Sequence, residues 1–426
     1  MTNPDTFRIH AKLLLRMPRE SEALRHYEPD RIADRDYEIT GAIEDACVIV
    51  QKGNVTYVGP QKEAPKSKGP TFSSDICMPG WIDCHTHSVF SGDRAEEFVL
   101  RNAGRPYAEI LEAGGGILNT VDSVRQTSTK VLSQMLYDRV LESIRNGVTH
   151  LEIKSGYGLS VGDEGKLLKA IQSISEDVPC ELIPCFLGAH AIPRKYRDDR
   201  ESYISLVIDE MIPKFAEQGL AGYCDVFCDR GAFTAEESRR ILEAGKSAGM
   251  IARIHADELS NAGAAALAAE IGTASADHLE FTPKEIFKEL ADADVVGVLM
   301  PAVNLFLGTT GALPDARGLL NAGVEIAIAT DFNPGSAMTQ NLPLMLTLGC
   351  TLYKMTPGEV LRSVSVGAAK ALRRDDIGSV EIGKRANLVM MRGASMANIP
   401  YHFGRSHLDA VIYNGEFVYW TDIEDE

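Results

Sequence analysis

Two histidines separated by a single residue, His85 and His87, are the part of this chain best suited to chemistry. They follow a short apolar run at 78–82, and side chains two positions apart on an extended segment point to the same side. Two imidazoles on one side can bind one metal ion. The pair alone is weak evidence, because ten histidines in 426 residues produce a His-x-His pair by chance in roughly one such chain in five.

Three further polar residues, His255, His278 and Asp331, each follow another short apolar run. If the apolar runs are parallel strands of a barrel, their carboxyl ends meet at one rim, and five such groups would face one another. A single histidine in such a place is more often structural, but five groups on one rim reverse that preference. Three neutral imidazoles and one carboxylate, from His85, His87, His255 and Asp331, suit catalytic zinc or a comparable divalent ion with room for a water.

The middle of the chain alternates apolar runs with helical patterns, for example at 261–271 and at 234–247, where Thr234 and Glu237 form a predicted capping box. The predicted strands are 81–85, 148–153, 181–187, 223–228, 250–255, 273–278, 295–300 and 324–330. Eight strand–helix units predict an α/β fold, a TIM (β/α)8 barrel. A doubly wound sheet shares this alternation, and periodicity alone does not separate the two.

Both ends of the chain are β-rich. A hairpin is predicted over 46–59, with its turn at Gly53 and Asn54. At the other end the predicted strands are 387–391, 408–412 and 416–420. We therefore expect a small composite β-sandwich domain built from residues 1–78 and 386–426 around a barrel at 79–385. The charged stretch at 17–45 shows no clear hydrophobic periodicity, so we predict no helix or strand for it.

Composition narrows the function classes. A net charge of −17 argues against nucleic-acid binding, which needs a basic face. The eight cysteines contain no CxxC pair and indicate free thiols in a reducing compartment; Cys224 and Cys228, four apart on a predicted strand, favour packing over metal binding. The three-leucine run near the N-terminus is too short for a signal peptide, and no apolar run is long enough to span a membrane. We therefore expect a cytoplasmic protein without membrane partners.

Two segments resemble a known superfamily. PGWIDCHTH (79–87) is similar to the opening of the amidohydrolase superfamily, and GSVEIGK (378–384) to its closing segment. Within it, seven motifs resemble the imidazolonepropionase family: VFSGDRAEEF (89–98), AGGGI (113–117), KSGYGL (154–159), GAH (188–190), FCDRGAF (227–233), HADEL (255–259) and TDFNPGS (330–336). The match covers about 75–420. Asn387 stands where many amidohydrolases carry Asp, in the small domain, away from the chemistry.

The resemblance implies hydrolysis of the cyclic amide bond of 4-imidazolone-5-propanoate to N-formimidoyl-L-glutamate, in histidine degradation. It implies the barrel with its composite domain, one zinc or iron ion per subunit, a small anionic substrate and a homodimer. The implied metal ligands are His85, His87, His255 and Asp331. The implied substrate contacts are Arg94, Tyr107, Tyr157, His190, Glu258, Asn333, Gly335 and Ser336.

Several of these roles have alternatives. Arg94 would bind the propionate, since a guanidinium fork suits a carboxylate, but an ion pair with Glu96 or Glu97 is the competing interpretation. Tyr107 could simply pack in a loop. Glu258 would hydrogen-bond the ring nitrogens, and the alternative is a helix cap.

The implied catalytic residues are Glu258, His278 and Asp331. Asp331 or His278 would take a proton from the attacking water, the metal and His278 would stabilise the oxyanion, and Glu258 would help to protonate the leaving nitrogen. The sequence leaves the division of this work open: His278 could also be a further ligand or hold the metal site from behind.

Three other patterns have less favoured functional interpretations. Lys154 could be a carbamylated metal bridge, but it ends the second predicted strand, and a salt bridge is favoured. The GLSVG sequence at 158–162 matches a serine-hydrolase elbow, but Ser160 lies several residues beyond the strand end. Gly156 and Gly158 fit a substrate loop better than a dinucleotide fingerprint.

Two rival functions remain. A nucleobase deaminase of the same superfamily would not need the Arg94 loop. A catalytically dead barrel serving as an assembly module should have lost metal ligands.

Overall fold

The computed structural model of the protein describes residues 4–25, 27–105, 115–309 and 311–421. The strands in chain order are β1 (Thr6–Leu15), β2 (Ala42–Gln51), β3 (Asn54–Pro60), β4 (Thr71–Pro79), β5 (Trp81–Asp83), β6 (Val148–Lys154), β7 (Glu181–Ala189), β8 (Tyr223–Cys228), β9 (Ile251–Ala252), β10 (Ile254–Ala256), β11 (Ser275–His278), β12 (Val296–Leu299), β13 (Ile326–Ile328), β14 (Leu388–Met391), β15 (Leu408–Tyr413) and β16 (Glu416–Trp420).

Most of the α-helices alternate with the barrel strands along the chain, whereas the first and the last belong to the terminal segments. They are α1 (Ile32–Thr40), α2 (Ala95–Asn102), α3 (Ile117–Gln126), α4 (Thr129–Arg145), α5 (Val161–Ile174), α6 (Arg200–Ser205), α7 (Ile212–Glu217), α8 (Ala235–Ser247), α9 (Ala264–Ile271), α10 (Phe287–Asp292), α11 (Pro301–Leu307), α12 (Ala316–Ala322), α13 (Leu342–Thr351), α14 (Pro357–Arg362), α15 (Ala368–Ala371) and α16 (Asn398–Tyr401). Wider π-helical turns at Leu206–Met211 and Ser363–Gly367 join α6 to α7 and α14 to α15. Within the described ranges, no helix combines the length and apolarity that crossing a bilayer requires.

Nine of the strands build a parallel barrel. The order is β5-β6-β7-β8-β10-β11-β12-β13, with β9 pairing alongside β8 as the first half of a split fifth strand. The ring closes between its first and last strands through a parallel bridge between Thr86 and Phe332. Closure confirms the barrel and excludes the doubly wound alternative, and each predicted strand is present with ends that differ by a few residues at most.

Successive side chains of a barrel strand point to opposite sides, so that packing residues lie on one side and polar residues on the other. On β8, Cys224 points outward against Gly245 of α8, and all three of Cys224, Val226 and Cys228 are buried. Asp225, between them, points to the opposite side. The cysteines therefore pack, as the sequence indicated, and all eight in the chain are free thiols.

The two termini meet in a second sheet, as expected. Its order is β16-β15-β14-β4-β1-β2-β3, antiparallel except for the β1–β4 pair. The sheet curls so that its halves face each other across an apolar core. The ring of Phe417 on β16 lies 4.6 Å from that of Phe72 on β4 and 5.3 Å from that of Phe7 on β1.

The stretch at 17–45, which has no periodic pattern, is held by polar contacts instead. It carries α1, whose buried Asp36 accepts hydrogen bonds from Thr356 Oγ1 (2.5 Å) and Gly358 N (3.0 Å) at the start of α14. Buried Arg362 donates from Nη1 to Pro18 O (2.5 Å) and from Nε to Glu325 Oε1 (3.1 Å). Contacts of this kind leave no hydrophobic period, which is why no element could be predicted for this stretch.

We expect Arg362→Met to lower the free energy of unfolding by about 3–5 kcal/mol, because it leaves the carbonyl oxygens of Pro18 and Arg19 without their donor and leaves Glu325 with Lys370 as its remaining cation. Thermal and urea unfolding followed by circular dichroism measure this change. Arg31→Met, which removes an exposed arginine from the same 17–45 stretch, is the matched control and should leave the midpoint unchanged. Equal midpoints for the two variants would contradict the assigned role.

Candidate active site

Four side chains converge at the carboxyl-terminal rim of the barrel. His85 and His87 follow β5, His255 lies on β10 and Asp331 follows β13. Asp331 Oδ1 lies 3.5 Å from His85 Nε2 and 3.4 Å from His87 Nε2, and His87 Nε2 lies 3.4 Å from His255 Nε2. All four residues are buried. The four groups that the sequence places on three separate strands are therefore neighbours.

These distances fit a bound divalent cation. Ligand atoms at bonds of about 2.0–2.1 Å in a tetrahedron are roughly 3.4 Å apart, which matches the separations here. His85 Nε2 is buried and has no hydrogen-bond partner among the described residues. His255 Nδ1 faces a carboxylate at 3.2 Å, so it carries the proton and leaves Nε2 with a lone pair. Three imidazoles and one carboxylate form a set of neutral and anionic donors suited to zinc or iron.

Asp331 is oriented by its own loop. Its backbone is in the left-handed region (φ +51°), an uncommon conformation for a residue other than glycine. Asn333 Nδ2 donates to Asp331 Oδ2 (2.9 Å), and Ser336 Oγ donates to the same oxygen (3.2 Å). Asn333 Oδ1 in turn accepts from the backbone N–H groups of Gly335 and Ser336 (2.7 and 2.8 Å). Oδ2 is thus engaged by the loop, and Oδ1 faces the histidines.

A carboxylate lies behind each of two histidine rings. His85 Nδ1 donates to Asp277 Oδ2 (2.6 Å), and Asp277 also accepts from Arg253 Nη2 (2.9 Å). His255 Nδ1 lies 3.2 Å from both oxygens of Asp225. Such partners fix the ring tautomer and orientation of a metal-binding histidine and raise its basicity.

Two buried cations, Lys154 and Arg253, partly offset the carboxylates of this cluster. Lys154 Nζ lies 2.7 Å from Asp225 Oδ2 and 2.7 Å from Glu152 Oε1. Burial would raise the pKa of Asp225, but Lys154 and His255 hold that pKa well below its ordinary value. Burial would also raise the pKa of Asp277, but Arg253 and His85 hold that pKa below its ordinary value. Lys154 is therefore a salt-bridge residue, which confirms the favoured interpretation.

His278 lies beside the four groups, as the last residue of β11. It is close enough to His85 and His255 for the three rings to share an ion. Its Nε2 lies 3.8 Å from Glu258 Oε2, and its Nδ1 lies 4.0 Å from Glu280 Oε2. The backbone of His278 is also left-handed (φ +86°). Strained backbone of this kind costs about 1–3 kcal/mol and is concentrated at functional sites.

Arg94 lies at the rim, at the start of α2. Its Nε and Nη2 donate to Glu97 Oε2 at 2.9 and 2.7 Å, so the ion pair that competed with the substrate role is present. The pair is not on the surface, since the Arg94 side chain is only 13% exposed. Its Nη1 lies against Gly335, where a Cβ would stand 2.1 Å from that nitrogen. The guanidinium is thus fixed beside the loop that holds Asp331.

Tyr157 and His190 form one wall of the site. The His190 ring stacks on His87 (5.0 Å, 19° between planes), and the Tyr157 ring lies 5.4 Å from His190. His190 Nδ1 donates to Gly156 O (3.0 Å), and a Cβ on Gly156 (φ +94°) would stand 2.9 Å from that nitrogen. Burial raises the pKa of Tyr157, so its hydroxyl stays protonated and can donate.

Other sequence assignments have plain outcomes. Tyr107 lies outside the described residues. Ser160 caps α5 by accepting from Asp163 N, which excludes the serine-elbow interpretation. The backbone N–H groups of Gly156 and Gly158 donate to the buried Glu164 carboxylate (2.9 and 2.7 Å), so the loop is preformed.

Asn387 lies at the junction of the two sheets, with its Oδ1 accepting from Asn414 N (2.7 Å).

Sequence reasoning missed the residues behind the rim. They are Glu152, Asp225, Arg253, Asp277 and Glu280, and all five are buried. A signal was available for four of them: each is a charged residue inside an apolar strand, and Glu152 and Arg253 lie two positions before Lys154 and His255. Period-two spacing puts both members of each such pair on the same face of a strand.

Comparison with known proteins gives matches along nearly the whole chain. The model of the amidohydrolase family matches residues 76–418. An imidazolonepropionase of Alkaliphilus metalliredigens is 42% identical over 391 residues, covering 90% of this chain and 92% of that protein. An imidazolonepropionase of Myxococcus xanthus is 42% identical over 385 residues, covering 89% and 91%.

Solved structures of more distant sequence share the fold. The ochratoxinase of A. niger superposes with a TM-score of 0.70 at 18% identity, covering 99% of this chain and 98% of that one. An adenosine deaminase from Xanthomonas campestris with bound zinc superposes with a TM-score of 0.68 at 17% identity, covering 98% and 94%. These similarities establish the barrel with its composite domain.

We expect Asp277→Asn to weaken metal affinity about 10- to 100-fold, since carboxylates behind a metal-binding histidine have effects of this size. Competition with a chromogenic chelator measures the affinity, and the melting temperature of the metal-free protein separates this effect from unfolding. The exposed Asp209→Asn is the matched control. An affinity within twofold of wild type would contradict the role assigned to the Asp277–His85 hydrogen bond.

Proposed function

We infer that this chain, which belongs to the amidohydrolase family and to its imidazolonepropionases, hydrolyses the cyclic amide bond of 4-imidazolone-5-propanoate. Relatives of that name are 40–44% identical to it, and each of them matches at least 80% of this chain. The product is N-formimidoyl-L-glutamate, and the reaction is a step in histidine degradation. The observation in the structure that supports this substrate is Arg94, a cation fixed at the rim beside the loop of Asp331.

The reaction makes two charges from a neutral ring. The oxygen of water bonds to the ring carbonyl carbon, and the bond from that carbon to the ring nitrogen breaks. The nitrogen leaves with the electron pair and takes a proton. The new carboxylic acid loses its proton, and the strongly basic amidine gains one, so the net charge does not change.

We propose that His85, His87, His255 and Asp331 hold one metal ion, which would be zinc or iron. When bound, the ion would polarise the carbonyl oxygen and make water more acidic. The chain fixes the orientation of the donors in advance through Asp277 behind His85 (2.6 Å). Preorganised groups of this kind need not rearrange as the reaction proceeds.

We propose that His278 and Glu258 move the protons of the reaction. His278 lies beside the donor set with its Nε2 3.8 Å from Glu258 Oε2. Burial and the neighbouring carboxylate of Glu280 raise the pKa of Glu258 well above its ordinary value, so Glu258 can carry a proton at neutral pH. A proton that His278 accepts from the attacking water can reach the leaving nitrogen through Glu258, as general acid–base catalysis requires.

The other substrate contacts remain proposals. Tyr157 and His190 line the wall next to His87 and would hold ring or carboxylate oxygens. Asn333, Gly335 and Ser336 would act on the substrate arm, and their mutual hydrogen bonds also position Asp331. We further propose a cytoplasmic enzyme, in keeping with its free cysteines, and a homodimer, in keeping with the family resemblance.

We expect Arg94→Gln to raise KM for the propionate substrate about 10- to 100-fold, because a hydrogen-bonded charge contributes roughly 1.5–3 kcal/mol, with a smaller change in kcat. Ultraviolet monitoring of ring consumption measures both constants. Arg230→Gln removes an exposed cation just beyond β8 and is the control. An unchanged KM in Arg94→Gln would favour an uncharged substrate, as in a nucleobase deaminase.

Asp331→Asn and His278→Gln should separate metal binding from proton transfer. We expect Asp331→Asn to lose both metal and activity. We expect His278→Gln to keep its metal while kcat falls about 10²- to 10⁴-fold, the range of general acid–base contributions. Metal analysis and steady-state kinetics on the same samples measure the two properties. Loss of metal in His278→Gln would make His278 a ligand instead.

A further inference from the structure

A cavity of about 350 Å³ opens beside the candidate active site, beyond Glu258. Its walls are largely apolar and include Leu259, Phe281, Val303 and Leu307. Two carboxyl groups, those of Glu258 and Glu280, also line it. An apolar pocket with a few converging polar groups is the usual form of a ligand site.

Glu280, one of the residues that line this cavity, has a carboxyl oxygen without a hydrogen bond to any described residue. Its side chain is only 2% exposed. Oε1 accepts a hydrogen bond from Asn304 Nδ2 (3.2 Å), whereas Oε2 is buried and has no hydrogen-bond partner among the described residues. Leaving a buried polar atom unpaired costs about 1–3 kcal/mol. Such an atom in a native structure calls for an explanation, such as a catalytic role or a bound partner.

The orientation of Glu280 is fixed from behind. Tyr353 Oη donates to Asn304 Oδ1 (3.2 Å), and this hydrogen bond directs the Asn304 amide nitrogen toward Glu280 Oε1 and Ala312 O. Asn304 and Tyr353 are themselves buried. The free oxygen of Glu280 is therefore held in place by a polar chain that reaches back to α13 and its following turn.

The two carboxyl groups flank one imidazole. Glu258 Oε2 lies 3.8 Å from His278 Nε2, and Glu280 Oε2 lies 4.0 Å from His278 Nδ1. Burial raises the pKa of Glu280 to about 8 and that of Glu258 well above its ordinary value. At these pKa values both groups carry protons near pH 7, and a positive ligand lying against them would lower the two pKa values and favour the carboxylate forms.

We propose that Glu258 and Glu280 together bind the amidinium cation that ring opening creates. This inference rests on the proposed function, because only ring hydrolysis produces such a group here. An amidinium is planar and carries N–H donors along both edges, so one edge can meet each carboxylate, as in bidentate carboxylate recognition. The ring of the substrate is neutral, so the pair binds the product end more strongly than the substrate.

Two ligands of nearly equal size test the charge preference. N-formimidoyl-L-glutamate carries the amidinium, and N-formyl-L-glutamate carries a neutral formamide in its place. We expect the metal-loaded wild-type protein to bind the first at least tenfold more tightly, by isothermal titration calorimetry. Equal affinities would overturn the proposal.

Glu280→Gln tests the residue directly. It keeps the shape and the Asn304 contact but removes the charge, and we expect the affinity ratio of the two ligands to fall about tenfold. Tyr353→Phe is the second variant: it keeps Glu280 but frees the Asn304 amide, and the ratio should fall two- to fivefold. The exposed Glu285→Gln is the matched control and should keep the wild-type ratio. A ratio within twofold of wild type in folded Glu280→Gln would exclude the role.

Consumption of the imidazolone ring by the wild-type protein is measured in parallel. This measurement distinguishes failure of the amidinium site from failure of the proposed function. Turnover of 4-imidazolone-5-propanoate without any preference for the amidinium would overturn this inference and leave the proposed function standing. A preference for the amidinium without turnover would overturn the proposed function and leave a cation site for an amidine ligand.

Discussion

The structure depends on a cluster of charges buried inside the barrel. Glu152, Asp225 and Asp277 face Lys154 and Arg253, and none of the five side chains is exposed. Removing one partner of a buried pair leaves an uncompensated charge at a cost of about 3–5 kcal/mol, so such groups fix one another's positions. Three negative charges against two positive ones leave the cluster with a net negative charge. His85 and His255 face this charge with their Nδ1 atoms, which lie against Asp277 and Asp225. The same groups therefore organise the interior and orient the site.

Much of the fold could be read from the sequence because the signals were local. Apolar strand runs and the capping box at Thr234, which the structure contains with Glu237 as its partner, depend only on neighbouring residues. The position of His85, His87, His255 and Asp331 on one rim followed from barrel geometry once the strands were assigned. Whether they hold a metal stays a prediction, although their separations of 3.4–3.5 Å fit one.

The sequence could not predict contacts made at long range by polar side chains. The link from Arg362 to the carbonyl oxygen of Pro18 spans more than three hundred residues and leaves no periodic trace. Glu280 follows His278 by two positions, but its free oxygen and the cavity in front of it exist only once α11 and α13 have packed nearby. The ion pair of Arg94 with Glu97 is different, because the two residues are three positions apart and the sequence already indicated this pair as the alternative to a substrate role.

The closure of the barrel has a consequence for how the molecule responds to its metal. First and last strands meet through one bridge, Thr86–Phe332, with hydrogen bonds from Asp331 N to His85 O (3.1 Å) and from His87 N to Phe332 O (3.0 Å). His85 and His87 lie on one side of this seam and Asp331 on the other. An ion held by all three would add a further link across this seam, where the two strands share a single bridge. Loss of the ion would then weaken the barrel first at the seam that carries the candidate active site. Metal occupancy and local opening of this seam would therefore be coupled.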